Sequence, residues 1–461
     1  MDQGKKEAAL LLGSALTSFY LSHKMSKEVT GMENMLTFFP TAMLWQSLPT
    51  VMVSQVYLIR RYFALSDASM VSWISLALHV LATRKFVEQY KTQFEAKHLF
   101  EQALKDANIP LHYGSGKIGD MSYYRWLSTL LLPFAPYLTT ALAYNSPLSN
   151  LQVVNHIYYT KQKHGSQVLD VIFPKDAKSI LKNQSINCLL YVHGGGWTVG
   201  KRFFHSLHLL MDMAHNGFVV CTMDYRLAPT NNVEDQVFDV KSGICWIKSN
   251  LINVLQEQFG GSLKHRDISL CIGGESAGGH LSLMAAMTMN DPKWQPSDQE
   301  YSVTDTSLDG CLDLYGVRDF TDSEEHWYKL DGGGFRNYIR HYVFQRCTLE
   351  HAEAHENLSP KLLLNRPFVE LPPPIFGIHG THDTLIPLDE AESFYAALKE
   401  GRKQWSGQSN SVNDVFVVIP YGPHGLNILA NPVSFALSDA AENFLLACTR
   451  NRKRNLTVAK L

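Results

Sequence analysis

The hydrophobic pattern changes near residue 150, where short apolar runs begin to alternate with segments of helical periodicity. The apolar runs are Val168–Phe173, Cys188–Val192, Phe218–Met223, Ile268–Ile272, Gly310–Tyr315, Ile375–Ile378 and Val415–Ile419. Helical patterns such as Gln236–Asn250 and Leu388–Glu400 lie between several of them. Buried strands separated by helices are typical of a mostly parallel sheet covered by helices on both faces. We therefore predict an α/β fold with its ligand site beyond the carboxyl ends of the strands.

The first 120 residues have a different pattern, with long uncharged stretches. Met35 to Ile59 contains no charged residue and is long enough to span a membrane, although Pro40 and Pro49 interrupt it. Ala8–Ser22 and Ala68–Thr83 are shorter uncharged runs. We predict a membrane-associated helical region over residues 1–120, with a cap of amphipathic helices as the alternative. Another apolar stretch, Trp126–Tyr144, is predicted to dip into lipid or to line the mouth of a pocket.

Composition and charge narrow the choice of partners. The net charge is −2 and no basic stripe is interleaved with aromatic residues, so nothing favours nucleic acid binding. The seven cysteines form no CxxC pair, and we interpret them as reduced. The N-terminal pattern favours an endoplasmic-reticulum or bacterial inner-membrane location. The final tripeptide, Ala459 to Leu461, resembles a peroxisomal signal and gives an alternative location.

A candidate nucleophile follows one of the predicted strands. Gly274-Glu275-Ser276-Ala277-Gly278 is a G-x-S-x-G motif between the run Ile268–Ile272 and an apolar helical segment. In that context the serine hydroxyl is presented at the tip of a tight strand-to-helix turn. We predict that Ser276 is a nucleophile.

A serine hydroxyl needs a base to take its proton, and the base needs an orienting acid. Asp383 follows the run Ile375–Ile378, and His424 lies in a Gly/Pro-rich loop after the last predicted strand. Both come after the serine in the order that this nucleophile motif requires. We predict Asp383 as the acid and His424 as the base, with His379 and His382 as competitors that flank the acid.

Three glycines directly after a predicted strand complete the chemistry. Attack on an ester carbonyl creates an oxyanion that needs preorganised N–H donors. We predict that Gly194, Gly195 and Gly196 form an oxyanion loop, with a further donor from the backbone of Ala277. A second triple glycine, residues 332–334, lacks a preceding strand and is interpreted as a loop in an insertion.

These motifs together resemble the hormone-sensitive-lipase branch of the α/β-hydrolases, over roughly Leu151 to Cys448. The resemblance rests on the HGGGW stretch at His193 to Trp197, DYRLAP at Asp224 to Pro229, GESAGG at Gly274 to Gly279, and HGTHDTLIP at His379 to Pro387. The chain is also similar to membrane-anchored esterases, arylacetamide deacetylases and steryl acetyl hydrolases.

The resemblance implies the α/β-hydrolase fold over residues 121–461, with a helical cap insertion at about 316–371. It also implies the roles given above for Ser276, Asp383 and His424. It implies that the Asp224 to Arg226 stretch braces the oxyanion loop. We assign Trp197 and Glu275 to substrate binding, and we predict neither a metal nor an organic cofactor.

The function predicted from these residues is a serine carboxylester hydrolase acting through an acyl-enzyme on small or lipid-soluble esters. Two alternatives use the same fold: an amide or formamide hydrolase with the same triad, or a ligand receptor without catalysis. The sequence leaves the oligomeric state open.

Overall fold

Eight strands form one mixed sheet in the computed structural model. It describes residues 3–25, 45, 47–64, 70–111 and 150–458, apart from gaps at 161–166, 177, 179, 181–184, 203–205, 260–262, 264–265, 297–300, 302, 333, 345–351, 406–411 and 430. The strands are β1 (Leu151–Tyr158), β2 (Val168–Pro174), β3 (Ile186–Val192), β4 (Val219–Met223), β5 (Ile268–Glu275), β6 (Gly310–Leu314), β7 (Ile375–His382) and β8 (Val415–Pro423). Their spatial order is β1-β2-β4-β3-β5-β6-β7-β8.

The sheet is parallel from β4 to β8, and only β1 and β2 run antiparallel to their neighbours. Each of the seven predicted apolar runs overlaps a strand, which confirms the α/β architecture. The pattern missed β1, because this edge strand is half-exposed and contains a bulge between Val154 and Ile157. An edge strand buries one face at most, so it lacks the continuous apolar run that marks a central strand.

Helices cover both faces of this sheet. They are α1 (Gln3–Met25), α2 (Leu48–Ala64), α3 (Met70–Asp106), α4 (Leu207–His215), α5 (Val233–Phe259), α6 (Ala277–Met287), α7 (His326–Asp331), α8 (Gly334–Tyr338), α9 (Ala352–Asn357), α10 (Pro360–Leu363), α11 (Leu388–Gln404) and α12 (Pro432–Val458). A 3₁₀ turn at Pro292–Trp294 and a π-helix at Ile339–Val343 complete the list. Helices α5, α6 and α11 share one apolar core with the sheet, while α4 and α12 share the other.

The N-terminal helices are joined to the sheet through α3. This helix of 37 residues is about 55 Å long at 1.5 Å per residue. Ala96, Phe100 and Leu104 repeat at helical spacing and are fully buried, and the Phe100 ring lies 6.2 Å from Phe376 of β7. Helices α1 and α2 pack on the same long helix. The second half of α3 is therefore part of the core of the α/β fold.

The predicted membrane spans find no support in the described residues, where no helix is long and apolar enough to cross a bilayer. Polar side chains lie between these helices, where the two ring nitrogens of His79 of α3 contact Ser14 of α1 at 3.2 Å and Gln55 of α2 at 2.6 Å. Three of the predicted features lie wholly or partly outside the described residues. They are residues 35–44 and 46 of the long uncharged run, all of Trp126–Tyr144, and the final tripeptide.

Candidate active site

The nucleophile candidate lies at the junction between β5 and α6. Ser276 adopts φ 53° and ψ −120°, a conformation that costs a residue with a side chain about 1–3 kcal/mol. Its N–H donates to the Leu314 carbonyl at 2.9 Å, which ties the turn to β6. A Cβ on Gly278 would lie 2.0 Å from the Val192 carbonyl oxygen, so the turn tolerates no side chain there. The strained turn places the serine at the carboxyl edge of the sheet.

A base and an acid complete a hydrogen-bonded chain from this serine. His424 Nε2 lies 2.9 Å from Ser276 Oγ, and His424 Nδ1 lies 2.7 Å from Asp383 Oδ2. The carboxylate cannot donate, so Nδ1 carries the proton and Nε2 is left to accept the serine proton. The other carboxylate oxygen accepts from the N–H groups of Leu385 at 2.9 Å and Ile386 at 2.8 Å. Burial alone would raise the pKa of Asp383, but His424 and these hydrogen bonds outweigh it and hold the pKa below its usual value.

The triple-glycine loop approaches the serine at Gly194, where an added Cβ would lie 3.3 Å from Ser276 Cβ. Among the described residues, the N–H groups of Gly195, Gly196 and Ala277 have no hydrogen-bond acceptor. The N–H of Gly194 differs, because it donates to Glu275 Oε1 at 3.0 Å. The N–H of Gly194 is therefore already engaged, whereas those of Gly195, Gly196 and Ala277 are candidate oxyanion donors.

Comparison with known proteins finds esterases among the proteins that this chain resembles. The family model described as BD-FAE matches residues 169–398. Esterase LipC of Mycobacterium tuberculosis is 30% identical over 62% of this chain and 64% of its own length. The probable carboxylic ester hydrolase LipM of the same organism is 28% identical over 56% of this chain and 53% of its own. Isoprenylcysteine alpha-carbonyl methylesterase ICME of Arabidopsis thaliana is 27% identical over 60% of each.

The family-model match covers just under half of the chain, and the mostly parallel eight-stranded sheet fits the α/β-hydrolase fold. The resemblance to esterases of the hormone-sensitive-lipase type is thereby confirmed. The chain spans between 53% and 64% of the length of these three relatives. A solved structure of esterase B from Lactobacillus rhamnosis is 15% identical over 78% of this chain and 98% of its own, with a TM-score of 0.48.

Glu275 has a different environment from the one that its position next to Ser276 suggests. It is 1% exposed, and its carboxylate accepts from Gly194 N, from Ser206 Oγ at 2.8 Å and from the Tyr191 hydroxyl. These contacts occupy both oxygens inside the protein. The role of Glu275 in substrate binding stays a prediction, and the contact with Gly194 N ties this carboxylate to the triple-glycine loop.

Trp197 is buried as well, at 1% exposure. Its indole Nε1 donates to His280 Nδ1 at 3.2 Å, and its ring centroid lies 5.2 Å from that of Phe320. The Trp197 carbonyl accepts from Ala228 N and from Gln236 Nε2. The indole and the carbonyl of Trp197 are thus engaged inside the protein, and its role in substrate binding stays a prediction.

The competing histidines lie beside the acid, as predicted, and they bond elsewhere. His379 Nε2 is 2.8 Å from the Ile386 carbonyl and 3.4 Å from Asp383 Oδ2. Burial lowers the pKa of His379 to about 4, which keeps this ring neutral near pH 7. His382 Nδ1 contacts Thr381 Oγ1 at 2.8 Å. Neither of these contacts reaches the serine, whereas His424 lies within hydrogen-bond distance of it.

Support for the loop also comes from the DYRLAP stretch. The Tyr225 hydroxyl donates to the His193 carbonyl at 3.0 Å, and the two rings stack with centroids 4.4 Å apart. Asp224 accepts from Arg202 N at 2.6 Å and from the Arg202 guanidinium at 2.5 Å.

Across the part of the chain that the structure describes, no group of three His, Cys, Asp or Glu residues is arranged to hold a metal ion.

A buried polar chain that sequence reasoning missed connects the two halves of the site. Tyr315 lies with its ring 4.9 Å from the His424 ring, and its hydroxyl donates to Asn427 Oδ1. Asn427 Nδ2 donates to Ser206 Oγ at 2.9 Å, and that hydroxyl donates to Glu275. The base loop and the oxyanion loop are therefore joined by continuous hydrogen bonds. No local motif marks Ser206 or Asn427, because each is defined by its partner.

Proposed function

We propose that this protein is a serine carboxylester hydrolase. The observation that carries the proposal is the hydrogen-bonded chain Ser276–His424–Asp383 beside backbone N–H groups that have no acceptor among the described residues. An arrangement of nucleophile, base, acid and oxyanion donors is what acyl transfer requires. The names of the relatives add support, since they are an esterase, a probable carboxylic ester hydrolase and a methylesterase.

The mechanism follows from the geometry. His424 Nε2 takes the hydroxyl proton as Ser276 Oγ attacks the ester carbonyl, and the oxyanion accepts hydrogen bonds from the loop and from Ala277. Collapse of the tetrahedral intermediate breaks the ester C–O bond, and His424 returns the proton to the departing alcohol. Water then attacks the acyl-enzyme with the same histidine as base, which releases the carboxylic acid and restores the serine. Asp383 holds the imidazole in one tautomer and stabilises its protonated form.

The test is hydrolysis of p-nitrophenyl esters from acetyl to palmitoyl, with Ser276→Ala as control. We expect hydrolysis that is lost in the variant, with short acyl chains preferred. A folded wild-type protein that hydrolyses none of these esters would refute the proposal. Hydrolysis of aryl amides or formamides by that protein would then support the amidase alternative, and inertness towards both would support the receptor alternative.

We further propose that α1–α3 attach the hydrolase to a lipid surface without crossing it. Their outer faces expose large apolar side chains, led by Met70 at 76%, Leu10 at 75%, Val56 and Tyr57 at 62% and Trp73 at 59%. Exposed apolar patches mark interaction surfaces, and aromatic residues favour the membrane–water interface. Exposed basic residues such as Arg60 and Arg84 on the same helices suit anionic headgroups.

Attachment is tested by co-sedimentation with phosphatidylcholine–phosphatidylserine vesicles. We expect the wild-type protein to sediment and Trp73→Ser to sediment less. Tyr328→Ser serves as a matched control, because Tyr328 is 58% exposed but lies on α7, away from these helices. An alkaline carbonate wash should release the bound protein. Retention after the wash, or no binding at all, would contradict peripheral attachment.

A further inference from the structure

A tyrosine from the insertion between β6 and β7 reaches the oxyanion loop. Tyr338 ends α8, where the chain passes into the π-helix. Its hydroxyl lies 2.9 Å from the Gly196 carbonyl and 2.7 Å from Thr198 Oγ1. A phenol has one proton to donate, so Tyr338 donates to Gly196 and accepts from Thr198. Short π-helices are uncommon and occur frequently at functional sites.

This contact differs in origin from the others that hold the loop. The Gly194 carbonyl accepts from His193 Nδ1 at 2.7 Å, and the Gly195 carbonyl accepts from Thr198 N and Val199 N. Those donors belong to the loop itself or to its strand. Among the three glycine carbonyls of the loop, and within the described residues, that of Gly196 accepts a hydrogen bond from the insertion.

The backbone at this point needs an external contact. Gly196 and Trp197 adopt φ values of 57° and 62°, and the second is a left-handed conformation that a residue with a side chain disfavours. The C=O and N–H of one trans peptide point in opposite directions, so holding the Gly196 carbonyl fixes the whole Gly196–Trp197 peptide plane. This plane contains the carbonyl side of Gly196. The N–H on the other side of the same residue is a candidate oxyanion donor.

We propose that Tyr338 is a positioning residue for ester hydrolysis, which keeps the Gly196 end of the oxyanion loop in its donating conformation. The inference rests on the proposed function, because it concerns the transition state of that reaction. Since Tyr338 belongs to the insertion, the oxyanion hole is fully organised only while the insertion is seated on the loop. Substrate entry that lifts the insertion would therefore also relax the hole.

The test is Tyr338→Phe, which removes the hydroxyl and keeps the ring contacts with Phe335 and Tyr342 at 6.1 and 5.6 Å. We expect kcat for a p-nitrophenyl ester to fall about 10-fold with KM within about 2-fold, because the oxyanion forms in the transition state and not in the bound substrate. Inhibition by a trifluoromethyl ketone, which forms the oxyanion on the enzyme, should weaken by the same factor as kcat/KM.

Tyr342→Phe is the matched control, since Tyr342 is 56% exposed and lies beside Tyr338; its kcat should match the wild-type value. An unchanged kcat in Tyr338→Phe would overturn the proposal, and so would a raised KM with unchanged kcat, which would place Tyr338 against bound substrate. If Tyr338→Phe fails to fold, Thr198→Val decides: a smaller fall in kcat supports the proposal and no change overturns it. Wild-type protein without esterase activity would refute the proposed function instead.

Discussion

The sharpest prediction from the structure concerns Gly195, the middle glycine of the oxyanion loop. It has φ 119°, and a Cβ placed there would lie 2.0 Å from the carbonyl oxygen of Val199 and 2.7 Å from its carbonyl carbon. Ordinary van der Waals contact begins at about 3.4 Å. Both groups are backbone, and the same Val199 donates its N–H to Gly195 at 3.0 Å. Gly195→Ala must therefore open this turn by more than an ångström.

The magnitude follows from the donors that the loop carries. Useful oxyanion donors lie about 2.7–3.1 Å from the oxyanion, so an ångström of displacement removes the bond. Loss of one donor typically costs about 10²–10³ in kcat, or about 3–4 kcal/mol of transition-state stabilisation. The loop supplies two N–H groups, those of Gly195 and Gly196. We expect kcat for p-nitrophenyl acetate to fall by about 10³-fold, while circular dichroism shows a folded protein.

The second triple glycine provides the control. Gly332 also has a left-handed φ of 68°, but a Cβ there would meet nothing within 4 Å. Gly332→Ala should cost about 1 kcal/mol of stability through backbone strain and leave kcat unchanged. If Gly195→Ala is folded and keeps kcat within about 5-fold of wild type, far less than the loss of a single donor, the loop does not supply the oxyanion donors and the reasoning fails.

Three further predictions test the surroundings of the site. Glu275→Gln replaces a carboxylate that accepts from Gly194 N by an amide with one acceptor, and kcat should fall about 10-fold at unchanged KM in steady-state assays; a KM effect alone would support the predicted role of Glu275 in substrate binding. Arg318 is fully buried between Asp313 at 2.7 Å and Glu390 at 3.2 Å, so Arg318→Met should lower the free energy of unfolding by about 3–5 kcal/mol in urea titrations; a loss below about 1 kcal/mol would contradict this. Burial lowers the pKa of Lys241 to about 7 in the folded protein. Between about pH 7 and 10 this lysine therefore binds a proton in the unfolded chain but not in the folded one, so the free energy of unfolding should rise with pH. Thermal melts of Lys241→Met should lack that rise, and a parallel profile in the two proteins would refute it.

Sequence reasoning could predict those parts of the fold and of the candidate site that a short sequence motif or an apolar run marks. The serine turn is encoded within five residues, and its strain needs small neighbours, so the motif and its preceding strand suffice to locate it. His424 could be chosen over His379 from its loop after the last strand, and the contacts of His379 with Ile386 and Asp383 agree with that choice. These assignments depend on which strand a residue follows, which the apolar pattern reports well.

The role of the N-terminal helices could not be read in the same way. A helix that packs on other helices and one that meets lipid are both apolar over long stretches. Gln55 of α2 and His79 of α3 show the packing between helices, because their polar groups face each other at 2.6 Å. This contact joins two side chains that are 24 positions apart in the sequence. Hydrophobicity averaged over one window of the sequence does not reveal such a contact.

The position of Glu275 next to Ser276 does not by itself place its carboxylate in the candidate site. Glu275 is the last residue of β5, is 1% exposed, and accepts a hydrogen bond from Gly194 N at 3.0 Å. The same carboxylate takes a hydrogen bond from Ser206, which Asn427 in turn contacts across 221 positions of the chain. Asn427 lies three residues after His424, so three hydrogen bonds join the loop of His424 to the loop of Gly194. We expect these buried polar groups to fix the position of the predicted base relative to the candidate oxyanion donors.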